Sequence, residues 1–314
     1  MAVVSVAAAA AVGSAADAAA SQAANAAGDA TTRGVAPTDN AADLITRAIP
    51  SSGEAIPIIG QGTSGPFEVG ESAGDRAPLR AVLDAFFAAG GRLVDTSPMY
   101  STAERVLGDL LTPEMHEHVF LATKVWTRGE SGGVEQMTRS AQLMKTRKLD
   151  LIQVHNLLDL DTHLKTLRAW KEAGRVRYIG ITHYTVSSHS DLARVISREK
   201  VDFVQLNYSP VTRDAEKRLL PLAADQGVAV LVNRPFEDGA LFAKLRGKPL
   251  PGWAPELQCK SWSQLCLKYI ASHPAVTCII PATGKVSHLQ DNLAGGRGPL
   301  PDIRQQQEIV RLLS

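Results

Sequence analysis

The sequence predicts an α/β chain folded as a single (β/α)8 TIM barrel with an N-terminal β-hairpin. Three observations point there. From Asp43 onward, short β-branched runs alternate with longer amphipathic segments. The runs number close to eight, and no interior linker breaks the chain. Alternation of this kind builds a parallel sheet covered by helices, and ~250 residues suffice for one closed barrel.

The first element is the stretch ITRAIPSSGEAIPIIG, two short strands around Ser-Ser-Gly, a hairpin able to plug the lower end of a barrel. The strand runs are then 56–59, 92–95, 119–124, 151–155, 177–181, 203–206, 228–232 and 277–281. Helical spacing marks the intervening segments 76–89, 103–111, 134–145, 162–173, 187–197, 214–225 and 262–272. Together these place the barrel at 43–314, as one domain.

Residues 1–42 differ in kind: they are alanine-dominated, lack aromatic residues and carry no Lys or Arg before Arg33. The opening half has the apolar and small-residue character of a secretory signal without its basic start. Export to the periplasm is the expectation, with translation starting upstream so that a basic, twin-arginine segment precedes Met1. The alternative is a disordered tail on a cytoplasmic protein, since such sequence buries too little apolar surface to offset its ordering entropy. The apolar stretch falls short of the ~20 residues that a membrane span requires.

A formal net charge of +1 gives no electrostatic reason to expect nucleic acid or an anionic membrane as partner, and favours a small molecule. Cys259, Cys266 and Cys278 form neither a C-x-x-C pair nor a metal-ligand pattern, so no metal is implied and all three read as buried thiols. The chain also lacks G-x-G-x-x-G and G-x-S-x-G, which argues against a dinucleotide-binding doubly wound sheet and an α/β-hydrolase.

Active sites of such barrels lie at the C-terminal ends of the strands. Three strand candidates end in a polar residue there: Asp95 in RLVDTSPMY, Lys124 in VFLATKVW and His155 in LIQVHN, with Tyr100 on the loop after Asp95. Singly, each has a structural explanation. Together they make a proton-transfer device, because a phenol with a pKa near ~10 needs a neighbouring cation to act near neutrality. Lys124 supplies the cation, Asp95 keeps it charged and oriented, and His155 hydrogen-bonds a substrate carbonyl.

At these residues the sequence resembles the aldo-keto reductases, from about Leu44 to Asn292. DTSPMYSTAERVLGDLL is similar to the family's Asp-Thr-Ala-x-x-Tyr-Gly-x-Ser-Glu segment, ATKV to its lysine strand and QVHN to its histidine strand. The resemblance implies a catalytic set of Tyr100, Asp95, Lys124 and His155 that reduces an aldehyde or ketone to an alcohol with NADPH, NADH being the alternative cofactor.

Further matches imply the cofactor contacts. IIGQGTSG, GRVRYIGITHYT, VQLNYSP, AVLVNRPFEDGAL and CIIPATGKVSHLQDNL resemble successive cofactor-binding segments of the family. They assign Gly62, Thr63, Thr182, His183, Gln205, Asn233, Arg234, Thr283, Lys285, His288 and Asn292 to that role. The chain departs from the family where Ser-Asn becomes Thr182–His183, where the ring-stacking Tyr becomes Asn233, and where the Lys and Arg common around the 2′-phosphate become Ala282 and His288. Arg234 or Phe236 then covers the ring, and Lys285 serves as the point charge for a 2′-phosphate.

Phe67 to Val69, Met99, Trp126 and Trp253 are expected to wall an apolar substrate pocket for a carbonyl compound of modest polarity. The rival expectation is a non-catalytic NADP-binding module that senses redox state. A barrel hydrolase or lyase is weaker, since it leaves Tyr100 and Lys124 without a task.

Overall fold

The computed structural model describes residues 43–313. The alanine-rich stretch 1–42, and with it the export expectation, lies outside the described residues. β1 (Thr46–Ala48) and β2 (Ala55–Pro57) form the antiparallel hairpin, with Arg47 opposite Ile56. Eight parallel strands follow in sequence order: β3 (Gln61–Gly62), β4 (Leu93–Asp95), β5 (Phe120–Val125), β6 (Leu149–His155), β7 (Val176–Thr182), β8 (Phe203–Asn207), β9 (Ala229–Asn233) and β10 (Val276–Ile279).

Bridges Ile59–Ile279 and Gly62–Ala282 join the first strand to the last and close the barrel. This corrects the first strand expected at 56–59. The apolar run there is divided: Ile56 and Pro57 pair with β1, Ile59 bridges β10, and the first barrel strand lies at Gln61–Gly62. The closure also explains two glycines. A Cβ at Gly62 would sit 2.7 Å from the Ile280 carbonyl oxygen, and one at Gly60 2.9 Å from that of Leu93. Close strand contact, not a turn, excludes a side chain there.

Side-chain alternation divides the apolar residues into two cores. Inside the barrel lie Leu93, Phe120, Leu151, Tyr178, Phe203 and Leu231, and Ile49 and Ile56 of the hairpin region cover them from below. The plug expectation thus holds, and Glu54 fastens it: its carboxylate accepts from Tyr178 Oη at 2.8 Å and pairs with Arg92 at 3.2 Å and with Arg177. The outward residues, among them Val94, Ile152, Ile181, Val204 and Val232, pack beneath the helices.

Seven helices answer to the segments expected: α1 (Ala73–Ala88), α2 (Ala103–Leu110), α4 (Glu130–Leu143), α5 (Leu160–Glu172), α6 (His189–Arg198), α7 (Leu219–Asp225) and α9 (Trp262–Ser272). Besides these the described residues hold α3 (Pro113–His118), α8 (Ala240–Leu245), α10 (Val286–Ala294) and α11 (Ile303–Leu313). The start of α3 is plain chemistry: Thr112 Oγ1 accepts from Met115 N at 3.2 Å and Pro113 takes the first turn, where no N–H is needed. The helix expected over 214–225 splits into a 3-10 turn, Asp214–Lys217, and α7. Pro221 is the third residue of α7 and so falls in its first turn, where no N–H is needed.

Candidate active site

On the inward face, the apolar floor gives way to polar groups at the C-terminal strand ends. Asp95 ends β4, Lys124 lies one residue from the end of β5, and His155 ends β6. Asp95 and Lys124 share the inward face with Leu93 and Phe120 by the two-residue repeat of a strand.

Lys124 is fully buried, and its Nζ donates to Asp95 Oδ2 at 2.6 Å and to the Thr96 carbonyl at 2.7 Å. The same ammonium lies 5.0 Å from the centre of the Tyr100 ring. Burial disfavours the charge on Lys124, yet attraction to Asp95 and Tyr100 outweighs it and holds the ammonium above its ordinary range. For Tyr100 burial wins instead. It pushes the phenol up against the opposing pull of Lys124, so the hydroxyl is protonated at neutral pH. The cation expected to make Tyr100 more acidic therefore limits the rise without reversing it.

His155 meets Tyr100 edge-on, with ring centres 6.4 Å apart, and its Nδ1 lies 3.3 Å from Ser97 Oγ. Burial, helped by the charge on Lys124, lowers the imidazole to about 3. It is neutral throughout the physiological range and can donate or accept a hydrogen bond without adding charge.

A cleft of about 950 Å³ opens above these groups. Tyr100, Asp95, His155, Gly62, Thr63, Thr182, Gln205, Asn233, Arg234, Met99 and Trp126 line it, as do Tyr184, Phe236 and Phe242. Of the expected aromatic covers, Phe236 is thus at the cleft beside Arg234. Gln205 Nε2 donates to Asp95 Oδ1 at 2.9 Å, while its Oε1 accepts from Thr182 Oγ1 at 3.0 Å and from Asn233 Nδ2 at 3.4 Å. Asn233 Nδ2 also reaches the His183 carbonyl at 3.3 Å. This network ties the ends of β7, β8 and β9 to the carboxylate that holds Lys124.

Other expected residues lie elsewhere. Phe67 is wholly buried in the core beneath the helices and does not line the cleft, whereas its neighbour Glu68 does. Trp253 is turned towards α11, its indole donating to Glu308 Oε2 at 2.9 Å, and Val69 packs against the same outer core as Phe67. His183 engages both ring nitrogens within its own loop, Nδ1 with Tyr184 N at 3.0 Å and Nε2 with Ser188 Oγ at 3.0 Å, so its ring does not serve the cleft.

Lys285 and His288 are exposed at the start of α10, and Thr283 is buried beside them, its Oγ1 accepting from Lys285 N at 3.2 Å. Asn292 is buried between α10 and α9, where Ser263 Oγ donates to it at 3.3 Å. All three cysteines are buried and free, and burial raises Cys259 to about 11 and Cys266 to about 12.

Three site residues escaped the sequence reading although each stands in a quoted motif. Gln153, two residues before His155 and so on the same face of β6, reaches Asp95 Oδ1 at 3.4 Å. Ser97 positions His155. Asn156 lines the cleft in a left-handed conformation, with φ 53°. Strand periodicity was the available signal for Gln153; the other two depend on loop shape.

The family model described as the aldo/keto reductase family matches residues 59–307, so the chain belongs to that family. Among characterised relatives it is similar to methylglyoxal reductase YeaE of Escherichia coli (strain K12), 27% identical over 76% of this chain and 85% of that protein. It is also similar to the NADH-specific methylglyoxal reductase of the same organism, 24% identical over 67% of this chain and 76% of that one. The fold resembles that of the Klebsiella pneumoniae aldo-keto reductase solved in complex with NADPH. There the TM-score is 0.71 at 22% identity, over 86% of this chain and 95% of that chain.

Proposed function

We propose that the protein reduces an aldehyde or ketone to an alcohol with a nicotinamide dinucleotide, Tyr100 donating the proton. The observation that carries this is a fully buried Lys124, paired with Asp95 at 2.6 Å beneath the ring of Tyr100 at the open end of the barrel. A buried ion pair is costly to maintain, and its place beneath a phenol gives this one a use in proton transfer.

The residues present fit a dinucleotide. The cleft is large enough for a ligand of that class. Asn233 Oδ1 and Asn156 Oδ1, both on cleft-lining residues, are buried acceptors without a hydrogen-bond partner. Gly62, Thr63, Thr182, Gln205 and Asn233 would hold the nicotinamide end, with Arg234 beside them and Thr283, Lys285 and His288 at the adenosine phosphate. When bound, the cofactor supplies the hydride.

The chain's own groups supply the rest. Tyr100 carries a proton at neutral pH, as an acid for alkoxide formation must. Lys124 steadies the charge left on its oxygen after donation. Neutral His155 hydrogen-bonds the carbonyl oxygen and aims it at Tyr100. Relatives named for methylglyoxal reduction place that dicarbonyl on the first substrate panel, and the NADH-specific relative keeps both cofactors in the comparison. NADPH is the preferred assignment, on the single charge of Lys285.

The test follows NADPH absorbance with a panel of carbonyl compounds in the parent protein and Tyr100→Phe. The variant should lose about 10²–10⁴-fold in rate while binding NADPH as before. Equal rates remove Tyr100 from the mechanism. Export is part of this proposal only through the sequence of 1–42; cell fractionation that finds the protein solely in the cytoplasm rejects it.

A further inference from the structure

We infer that Arg234 is the anion-binding residue of the cleft and that Asp238 holds it in reserve until an anionic ligand arrives. This rests on the dinucleotide reading and concerns how such a ligand enters. The charged residues lining the cleft, among those described, are Glu68, Asp95, Arg234 and Asp238. Asp95 is neutralised by Lys124, and Arg234 by Asp238, whose carboxylate lies 2.7 Å from Nη2 and 3.1 Å from Nε. Glu68 is left over, so the resting cleft presents a net negative charge to a ligand that carries a diphosphate.

The cation must therefore be released from within. The Arg234–Asp238 pair is the one able to yield, because Arg234 is part-exposed and Asp238 exposed, and such a pair is weakly held. Arg234 is a planar fork suited to phosphate or carboxylate oxygens, and a second anchor, Nη1 to the Tyr184 carbonyl at 3.2 Å, keeps it at the cleft when Asp238 lets go. The backbone points the same way. Arg234, Glu237 and Asp238 have φ of 50°, 52° and 53°, left-handed values that non-glycine residues seldom adopt and that gather at functional loops. Asp238 thus sits on a turn whose conformation costs energy and which the pair helps to hold.

The anionic oxygens could belong to the cofactor diphosphate or to a carboxylate on the substrate, and two measurements separate them. Equilibrium binding of NADPH and of NADH is measured by fluorescence on the parent, Arg234→Ala and Asp238→Asn. Turnover of benzaldehyde is then compared with that of 2-carboxybenzaldehyde. If the diphosphate is the ligand, Arg234→Ala weakens both dinucleotides about equally, by roughly 10-fold or more, whereas Asp238→Asn tightens both several-fold. Lys285→Ala, by contrast, should weaken NADPH alone. If the substrate carboxylate is the ligand, dinucleotide affinity stays within two-fold and Arg234→Ala lowers kcat/KM for the carboxylated aldehyde only. Arg234→Ala with neither effect, or Asp238→Asn that weakens both ligands, overturns the inference. A parent protein that binds neither dinucleotide refutes the dinucleotide reading instead.

Discussion

Lys124→Met removes the cation but keeps the length of the side chain, leaving Asp95 as a buried carboxylate without its partner. Breaking a buried pair in this way costs about 3–5 kcal/mol. Two amide donors remain, Gln205 at 2.9 Å and Gln153 at 3.4 Å, and neither carries charge to balance the carboxylate. These donors still satisfy the carboxylate in part, so the lower end of the range, ~3 kcal/mol, is the expected loss, with a fall in Tm of about 5 °C for a domain of this size. Urea unfolding followed by circular dichroism reads the first quantity and calorimetry the second. The double variant Asp95→Asn with Lys124→Met removes the stranded charge, and it should recover at least half of the lost stability while staying inactive. Stability and catalysis would then separate at one pair of residues. A single variant within about 1 kcal/mol of the parent, or a double variant no more stable than the single, refutes the account of a desolvated pair.

Two further tests bear on neighbouring residues. Because His155 titrates at about 3, kcat/KM should show no histidine inflection between pH 5 and 8; one that disappears in His155→Gln contradicts the neutral assignment. The linked effect on stability has a definite sign: the unfolded chain takes up a proton near pH 6.5 that the folded site refuses until about 3, so stability falls as pH drops through that window. Phe67→Ala should cost about 3–5 kcal/mol as a core cavity while leaving KM for short aldehydes unchanged, and a raised KM at parental stability would return Phe67 to the pocket.

The acid–base set was legible in the sequence because strands bring period and direction with them. Asp95, Lys124 and His155 each stand at or beside the end of an apolar run, and a parallel barrel puts all such ends at one mouth. The cofactor side was legible only in outline. His183 and Phe67 fall in segments that resemble cofactor- or pocket-forming stretches, yet loop conformation turns the ring of His183 onto Ser188 and packing draws Phe67 into the core. Neither outcome is encoded by spacing.

From its sequence alone this protein is a barrel with an N-terminal hairpin and a Tyr–Lys–His–Asp site, since alternation and strand-end chemistry are local properties of the chain. Only the tertiary structure decides the balance of forces among those residues. Burial, a property of everything packed around a group, keeps Tyr100 protonated and His155 neutral, and closure of the barrel moves the first strand to Gln61–Gly62. The pairing of Arg234 with Asp238 belongs to the same category, because it depends on a left-handed turn that the residues PFEDG permit but do not require.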